Sequence, residues 1–279
     1  MTKMTETSPP LSEPRPIRKS AFITYKHCKK KFEFLYFGDH YFDYGGEDQD
    51  NEHLRRGSLF HNGCEKFFKN MQGKIYTPEL VDSFRINMPT IGDPRDLMVN
   101  EWFDWFAEQE KSRYQELCLA DKLGLWYPVA MELEIKMKDK IDRTGHVDRI
   151  DVIPNTKDLC IVEYKTGKSY DMDKSYAFTA MNAEIGFYIQ ILNAAKVFPD
   201  YKLTHWKVIN PTLQKIWYNK ISPISLKGVE ATYEEIVNKV NKGGKYEKNP
   251  GVLCLSCPYL NDCLFSDNGL DIILPEGWE

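Results

Sequence analysis

The most constraining stretch of this 279-residue chain runs from Gly145 to Lys168, GHVDRIDVIPNTKDLCIVEYKTGK. Two apolar, β-branched runs flank the turn-forming segment Pro154–Asp158. This predicts antiparallel neighbouring strands over Gly145–Ile153 and Leu159–Thr166. Side chains alternate across a strand, so Glu163 and Lys165 share a face and Tyr164 points to the other side. Asp148 lies on the preceding strand, within reach of both. Ile150 and Val152 share the face of Asp148, and Ile161 shares that of Glu163, so the acidic pair is expected to be buried.

Two carboxylates and a lysine at this spacing suit a hard divalent cation, Mg2+ or Mn2+, with water and phosphate oxygens completing its shell. Such an ion lowers the pKa of its bound water and neutralises phosphate charge. Lys165 would orient the attacking hydroxide or stabilise the charge that develops on phosphorus. The same three residues also fit a salt-bridged sheet edge, so the rest of the chain must decide.

The elements around the hairpin define an α/β core with a mixed sheet. Before it, Met131–Met137 alternates apolar and charged residues, a half-buried strand. After it come a helix over Ser175–Phe198, a hairpin of Leu203–Asn210 and Lys215–Ile221, and a helix over Ser225–Asn241. Upstream, Ser20 is read as the cap of a helix over Ala21–Phe37. Gly38–Asn51 reads as a loop, and Glu52–Met71 as a helix carrying Phe60 and His61. Residues 72–127 read as a helical insertion, with one long helix over Asp96–Lys122. Residues 1–18 are expected to be a disordered tail, 19–266 one domain, and 267–279 a C-terminal tail.

A net charge of -4 gives no global basic field, so nucleic-acid contacts would have to come from local patches. No apolar run is long enough for a membrane span, and the N-terminal segment lacks a secretory h-region. A cytoplasmic location and no membrane partner are therefore expected. Seven cysteines in a reducing compartment point to metal ligands rather than disulfides. Cys254-x2-Cys257-x5-Cys263 is a compact triple, and Cys28 is the best candidate for a fourth ligand. Zinc and a 4Fe–4S cluster both suit four thiolates. Either would tie the N-terminal helix to the C-terminal loop. Cys64, Cys118 and Cys160 sit in helix or strand patterns and read as core residues.

Taken in order, these pieces resemble the iron–sulfur RecB-like nucleases of the PD-(D/E)XK superfamily. That group includes AddB-type recombination nucleases and small CRISPR-associated exonucleases. Ser20–Cys28 with Tyr25 and Lys29-Lys30-Lys31-Phe32 is similar to the family's N-terminal cysteine segment, although Lys29 stands where a proline is usual. Gly57-x3-His61 resembles the histidine motif, Gly145-His146-Val147-Asp148-Arg149 the G-x-x-D-R strand, and Glu163-Tyr164-Lys165 the (D/E)-x-K motif. Glu184-x3-Tyr188 stands where the family often has Gln-x3-Tyr.

The resemblance implies a metal-dependent DNA exonuclease acting on single strands or duplex ends. His61, Asp148, Glu163 and the Tyr164 backbone carbonyl would bind Mg2+ or Mn2+, and Lys165 would assist the attacking water. Glu184, Tyr188 and Lys168 would face DNA, with Lys29, Lys30, Lys31 and Lys174 as further phosphate contacts. Cys28, Cys254, Cys257 and Cys263 would hold a structural 4Fe–4S cluster, with zinc as the alternative. Partners would be DNA and recombination, repair, replication or CRISPR-adaptation proteins. A non-catalytic DNA-end-binding or scaffolding subunit is the rival reading.

Overall fold

The alternation that begins at Met131 builds a mixed sheet, and aromatic helices cover it. The computed structural model describes residues 14–38, 51–243, 245–251, 254, 255 and 257–265. The N-terminal tail up to residue 13, most of the loop after Gly38, and the C-terminal tail expected at 267–279 lie outside the described residues. In chain order come β1 (Ile17–Arg18), α1 (Lys19–His27), α2 (Lys29–Phe37) and α3 (Glu52–Met71). Short 3-10 turns between 78 and 96 lead into α4 (Met98–Leu119). Then follow β2 (Ala130–Met137), β3 (Arg143–Val152), β4 (Asp158–Tyr164), α5 (Ser175–Ala194), β5 (Lys202–Asn210), β6 (Lys215–Lys220), α6 (Pro223–Lys242) and α7 (Leu260–Phe265). The chain divides into two compact units, residues 44–137 with 145–226 and the remainder.

In the larger unit β3 pairs antiparallel with β4, β4 parallel with β5, and β5 antiparallel with β6, while β2 lies on β3. The expected strand-strand-strand-helix-strand-strand order is the one observed. Only the first residue of β4 escapes full burial, which requires cover on both faces. On one face Cys160, Val162 and Tyr164 join Phe60, Phe67 and Phe68 of α3 with Trp102, Phe103 and Phe106 of α4. Trp126 stacks at 5.0 Å on Phe84 within the same cluster. The 72–127 segment thus supplies much of the aromatic core on this face. On the other face α5 packs against β2 and β5. Its Asn182 accepts a hydrogen bond from the Trp206 indole at 3.2 Å, and Phe178 lies against the same ring.

The N-terminus of α3 is fixed by Asn51, whose side chain accepts the N–H groups of His53 and Leu54. This satisfies two of the donors that every helix start leaves open.

The smaller unit departs from the sequence reading in two places. The helix expected over Ala21–Phe37 is two helices, broken at Cys28, whose backbone is extended (φ -155, ψ 110). Cys28 caps α2 instead, its sulfur accepting the Lys31 N–H at 3.4 Å, and Ser20 lies inside α1 rather than capping it. Ile17 and Arg18 form β1, parallel to Arg143 and Thr144. Within this unit the Arg143 guanidinium lies 4.1 Å from the centre of the Tyr233 ring, and the Tyr233 hydroxyl donates to Ile141 O at 2.6 Å. Phe34 stacks on Tyr259, and the Asn249 side chain donates to His27 O. The N- and C-terminal segments of the unit are therefore held by ordinary contacts.

Candidate functional site

β3 and β4 bring the acidic residues together. Their register pairs Arg149 with Val162, and continuing it sets Asp148 opposite Glu163 on the same face. Both are buried. Asp148 is oriented by backbone: the Tyr164 N–H donates to its Oδ2 at 2.8 Å. The other oxygen, Oδ1, lies 3.5 Å from His61 Nδ1. The second ring nitrogen of His61, Nε2, is 3.0 Å from the Tyr164 carbonyl oxygen. With Nε2 set against that carbonyl, Nδ1 is the nitrogen turned toward Asp148 and would bind an ion once it gives up its proton.

α3 runs close to this point at Gly57. A Cβ there would stand 3.2 Å from Thr166 Oγ1, in the chain just after Lys165. Gly145 serves in the same way, since a Cβ on it would meet the Tyr188 ring at 2.8 Å. The glycines of both sequence motifs thus mark close approaches.

Among the described residues, one group of metal-capable side chains has ligand atoms within 4.8 Å of one another: His61, Glu132 and Asp148. Glu132 was not anticipated. It comes from β2 and has φ 46, a left-handed conformation unusual for a glutamate. Its Oε1 is buried without a hydrogen-bond partner among the described residues. A buried carboxylate oxygen without a donor, on a side chain grouped with His61 and Asp148, fits a divalent cation. The donor set, one imidazole and two carboxylates, suits Mg2+ or Mn2+.

Glu163 and Lys165 form an adjoining group. The Lys165 ammonium donates to Glu163 Oε2 and to Glu184 Oε1, each at 2.8 Å. The Tyr170 ring lies 5.4 Å from the same nitrogen. Glu184 and Tyr188, on α5, are buried; Lys168 is exposed. Lys29 and Lys30 are held in ion pairs with Glu235 and Glu33.

The charges are mutually adjusted. Burial alone would lower the His61 imidazole, but the Asp148 carboxylate outweighs it and holds the ring above its ordinary pKa. Burial would raise Asp148, and His61 and Lys165 bring it below the usual carboxylate range. Burial, with the charge of Asp148, pushes Glu132 up despite His146. Burial would lower Lys165, yet Glu163, Glu184 and Asp148 keep it well above a free lysine. Cations and carboxylates are therefore locked together, and a divalent ion would relieve the excess of acid.

The model of the PD-(D/E)XK nuclease superfamily matches residues 19–264. The chain belongs to the PD-(D/E)XK nuclease superfamily. The nuclease's mixed sheet flanked by helices is the superfamily's fold. Among solved structures it is similar to a protein from Eubacterium rectale assigned as an exonuclease. That match has 13% identity and a TM-score of 0.48, covering 93% of this chain and 91% of the other. SSO0001 is similar at 14% identity and a TM-score of 0.31, over 72% of this chain and 92% of the other. No curated protein matches the chain significantly.

The four cysteines singled out in the sequence belong to the smaller unit. Cys254 and Cys257 lie on one turn, the Cys257 N–H donating to Cys254 O at 3.0 Å. Burial raises the Cys263 thiol, and the neighbouring Cys28 and Cys254 add to the effect. Among the described residues, no three of these sulfurs lie within 4.8 Å of one another, so the structure does not bring the four cysteines to the spacing of a single-ion site. Cys64 and Cys160 are buried in the aromatic core of the larger unit, as their sequence patterns suggested.

Proposed function

We propose that this nuclease is a Mg2+- or Mn2+-dependent deoxyribonuclease that degrades DNA from single-stranded or exposed ends. The observation that carries the reading is the meeting of His61, Glu132 and Asp148 within 4.8 Å, beside a lysine that donates to Glu163. His61 and Asp148 would hold the ion, with Glu132 as a further ligand and Glu163 facing the same site. The Tyr164 carbonyl oxygen, 3.0 Å from His61 Nε2, keeps a second lone pair that would be open to the ion. When bound, the ion supplies an acidified water and neutralises phosphate charge.

The chain's own groups do the rest. The Tyr164 N–H fixes Asp148, so its free oxygen points in one direction. Glu163 and Glu184 hold the Lys165 ammonium, a fixed positive group aimed where charge grows on the phosphate. Lys168, exposed three residues after Lys165, would contact the DNA backbone. Glu184 and Tyr188 would line the strand's path behind it.

Cys28, Cys254, Cys257 and Cys263 would hold a structural 4Fe–4S cluster. Four thiolates are the donor set such clusters take, and zinc is the alternative. DNA is the proposed partner, with recombination, replication or CRISPR-adaptation proteins as the setting.

The test is degradation of end-labelled DNA with and without Mn2+. Asp148→Ala and Lys165→Ala should each lower the rate by at least about 10²-fold, the scale of losing one preorganised electrostatic group. Undiminished cutting by either variant overturns the assignment. DNA with blocked ends should resist the enzyme. A wild-type chain that binds DNA ends but cuts nothing would be the non-catalytic subunit instead.

A further inference from the structure

Glu132 presents its two carboxylate oxygens to different surroundings. Oε2 lies 2.6 Å from Nε2 of His146. Oε1 is buried, with no hydrogen-bond partner among the described residues. The residue is also held in a left-handed backbone conformation, φ 46, inside a strand. Such a conformation costs about 1–3 kcal/mol and persists where surrounding contacts fix it. His146 is two residues before Asp148 on β3, so both side chains leave the same face of the strand. That is how the His146 ring stands against one oxygen of Glu132 while Asp148 offers a ligand atom within 4.8 Å of a Glu132 carboxylate oxygen.

We propose that His146 is a positioning residue, holding Oε2 of Glu132 so that Oε1 is presented with His61 and Asp148 to a divalent cation. The inference rests on the reading of this site as a cation centre and adds the group that orients one ligand. A glutamate has three side-chain torsions, and strain at its Cα fixes none of them. A hydrogen bond from the His146 ring N–H to one oxygen fixes which oxygen faces inward. Outer partners of this kind typically change metal affinity by 10–100-fold, because they set the ligand's direction before the ion arrives. His146 itself touches neither the ion nor the reacting atoms. Its side chain is 55% exposed, so removing it leaves the core untouched.

The measurement is Mn2+ binding to the full chain without DNA, read from the loss of the free-ion electron paramagnetic resonance signal. His146→Ala should weaken binding by about 10–100-fold. His146→Gln, which can donate to the same oxygen, should recover most of it. In a Glu132→Ala background, His146→Ala should cause no further loss, since the two residues act as one unit. Asp148→Ala serves as the reference for the centre itself. If Asp148→Ala loses Mn2+ while His146→Ala binds like wild type, the role of His146 is overturned and the cation centre stands. Equal losses with and without Glu132 would also overturn it. If the wild type does not bind Mn2+, the centre and this inference fall together.

Discussion

Lys165 is the residue on which the site's charge balance turns, because its single ammonium serves two carboxylates at 2.8 Å each. Glu184 stands where the resembling family often has glutamine, and here it makes an ion pair. Glu184→Gln keeps an acceptor but removes a charge, so the raised pKa of Lys165 should fall toward that of free lysine. A titration of the Lys165 side chain by nuclear magnetic resonance would read this directly, and an unmoved pKa would show that Glu184 does not govern it. Glu184→Ala removes the contact as well. A catalytic group displaced by about 1 Å can cost about 10²-fold, so the expected outcome is a fall in kcat of up to that size with little change in KM. Asp148, Glu163 and Lys165 were legible because two short strands and a turn fix their relative positions almost without tertiary information. His61 was legible only through its motif. Glu132 was not legible at all. In the alternating run Met131–Met137 it is one of three charged positions with Glu134 and Lys136. What separates it is a left-handed backbone and the pairing of β2 on β3, both of which the folded chain imposes.

At the scale of elements, the segment 72–127 was readable as a helical insertion with buried aromatics, among them Trp102, Phe106 and Tyr114, but not in its ionic tie to the sheet. Its helix α4 is joined to β3 by a buried ionic network. Arg149, fully buried, donates to both oxygens of Asp151 at 2.8 Å and to Glu110 at 2.6 Å. Arg113 reaches Glu110 at 3.2 Å and Asp151 at 3.4 Å. No local pattern announces this, since Glu110 and Arg149 are 39 residues apart. Glu110→Ala would leave Arg149 short of a partner in the interior. The expected cost is about 3–5 kcal/mol, measured as a shift in urea unfolding. The same network sets an acid limit. Burial would raise Asp151, but Arg113 and Arg149 hold it down to about 2. A folded pKa below the unfolded value of about 3.9 means the stabilisation is complete above that pH. It is lost as the pH falls toward 2, and unfolding free energies measured from pH 5 downward should decline across that window. The break at Cys28 escaped the sequence for a related reason. Tyr25 and Phe32 are seven residues apart, a spacing one continuous helix would also give, so the apolar pattern runs on through an extended residue.

Across the whole molecule, the two kinds of proposed metal chemistry fall in different units. His61, Glu132, Asp148, Glu163, Lys165 and Glu184 all belong to the larger, and Cys28, Cys254, Cys257 and Cys263 all to the smaller. This separation was hidden in the sequence, where the cysteines bracket the acidic motifs at both ends and suggest a single construction. The smaller unit also has links of its own between its distant segments, including Lys29 with Glu235 and Phe34 on Tyr259. A cluster there would add to packing that exists without it. Two measurements on one variant then separate structure from chemistry. Replacing Cys254 and Cys257 by serine should abolish the brown visible absorbance expected of an iron–sulfur protein, together with its iron and acid-labile sulfide. It should also lower the unfolding temperature. Mn2+ binding should persist in the folded variant, because every proposed ligand of that ion lies in the other unit. A colourless wild type containing zinc would replace the cluster with a zinc site. Loss of Mn2+ binding in a variant that remains folded would mean that the cysteines shape the acidic centre, against the division of labour that the two units suggest.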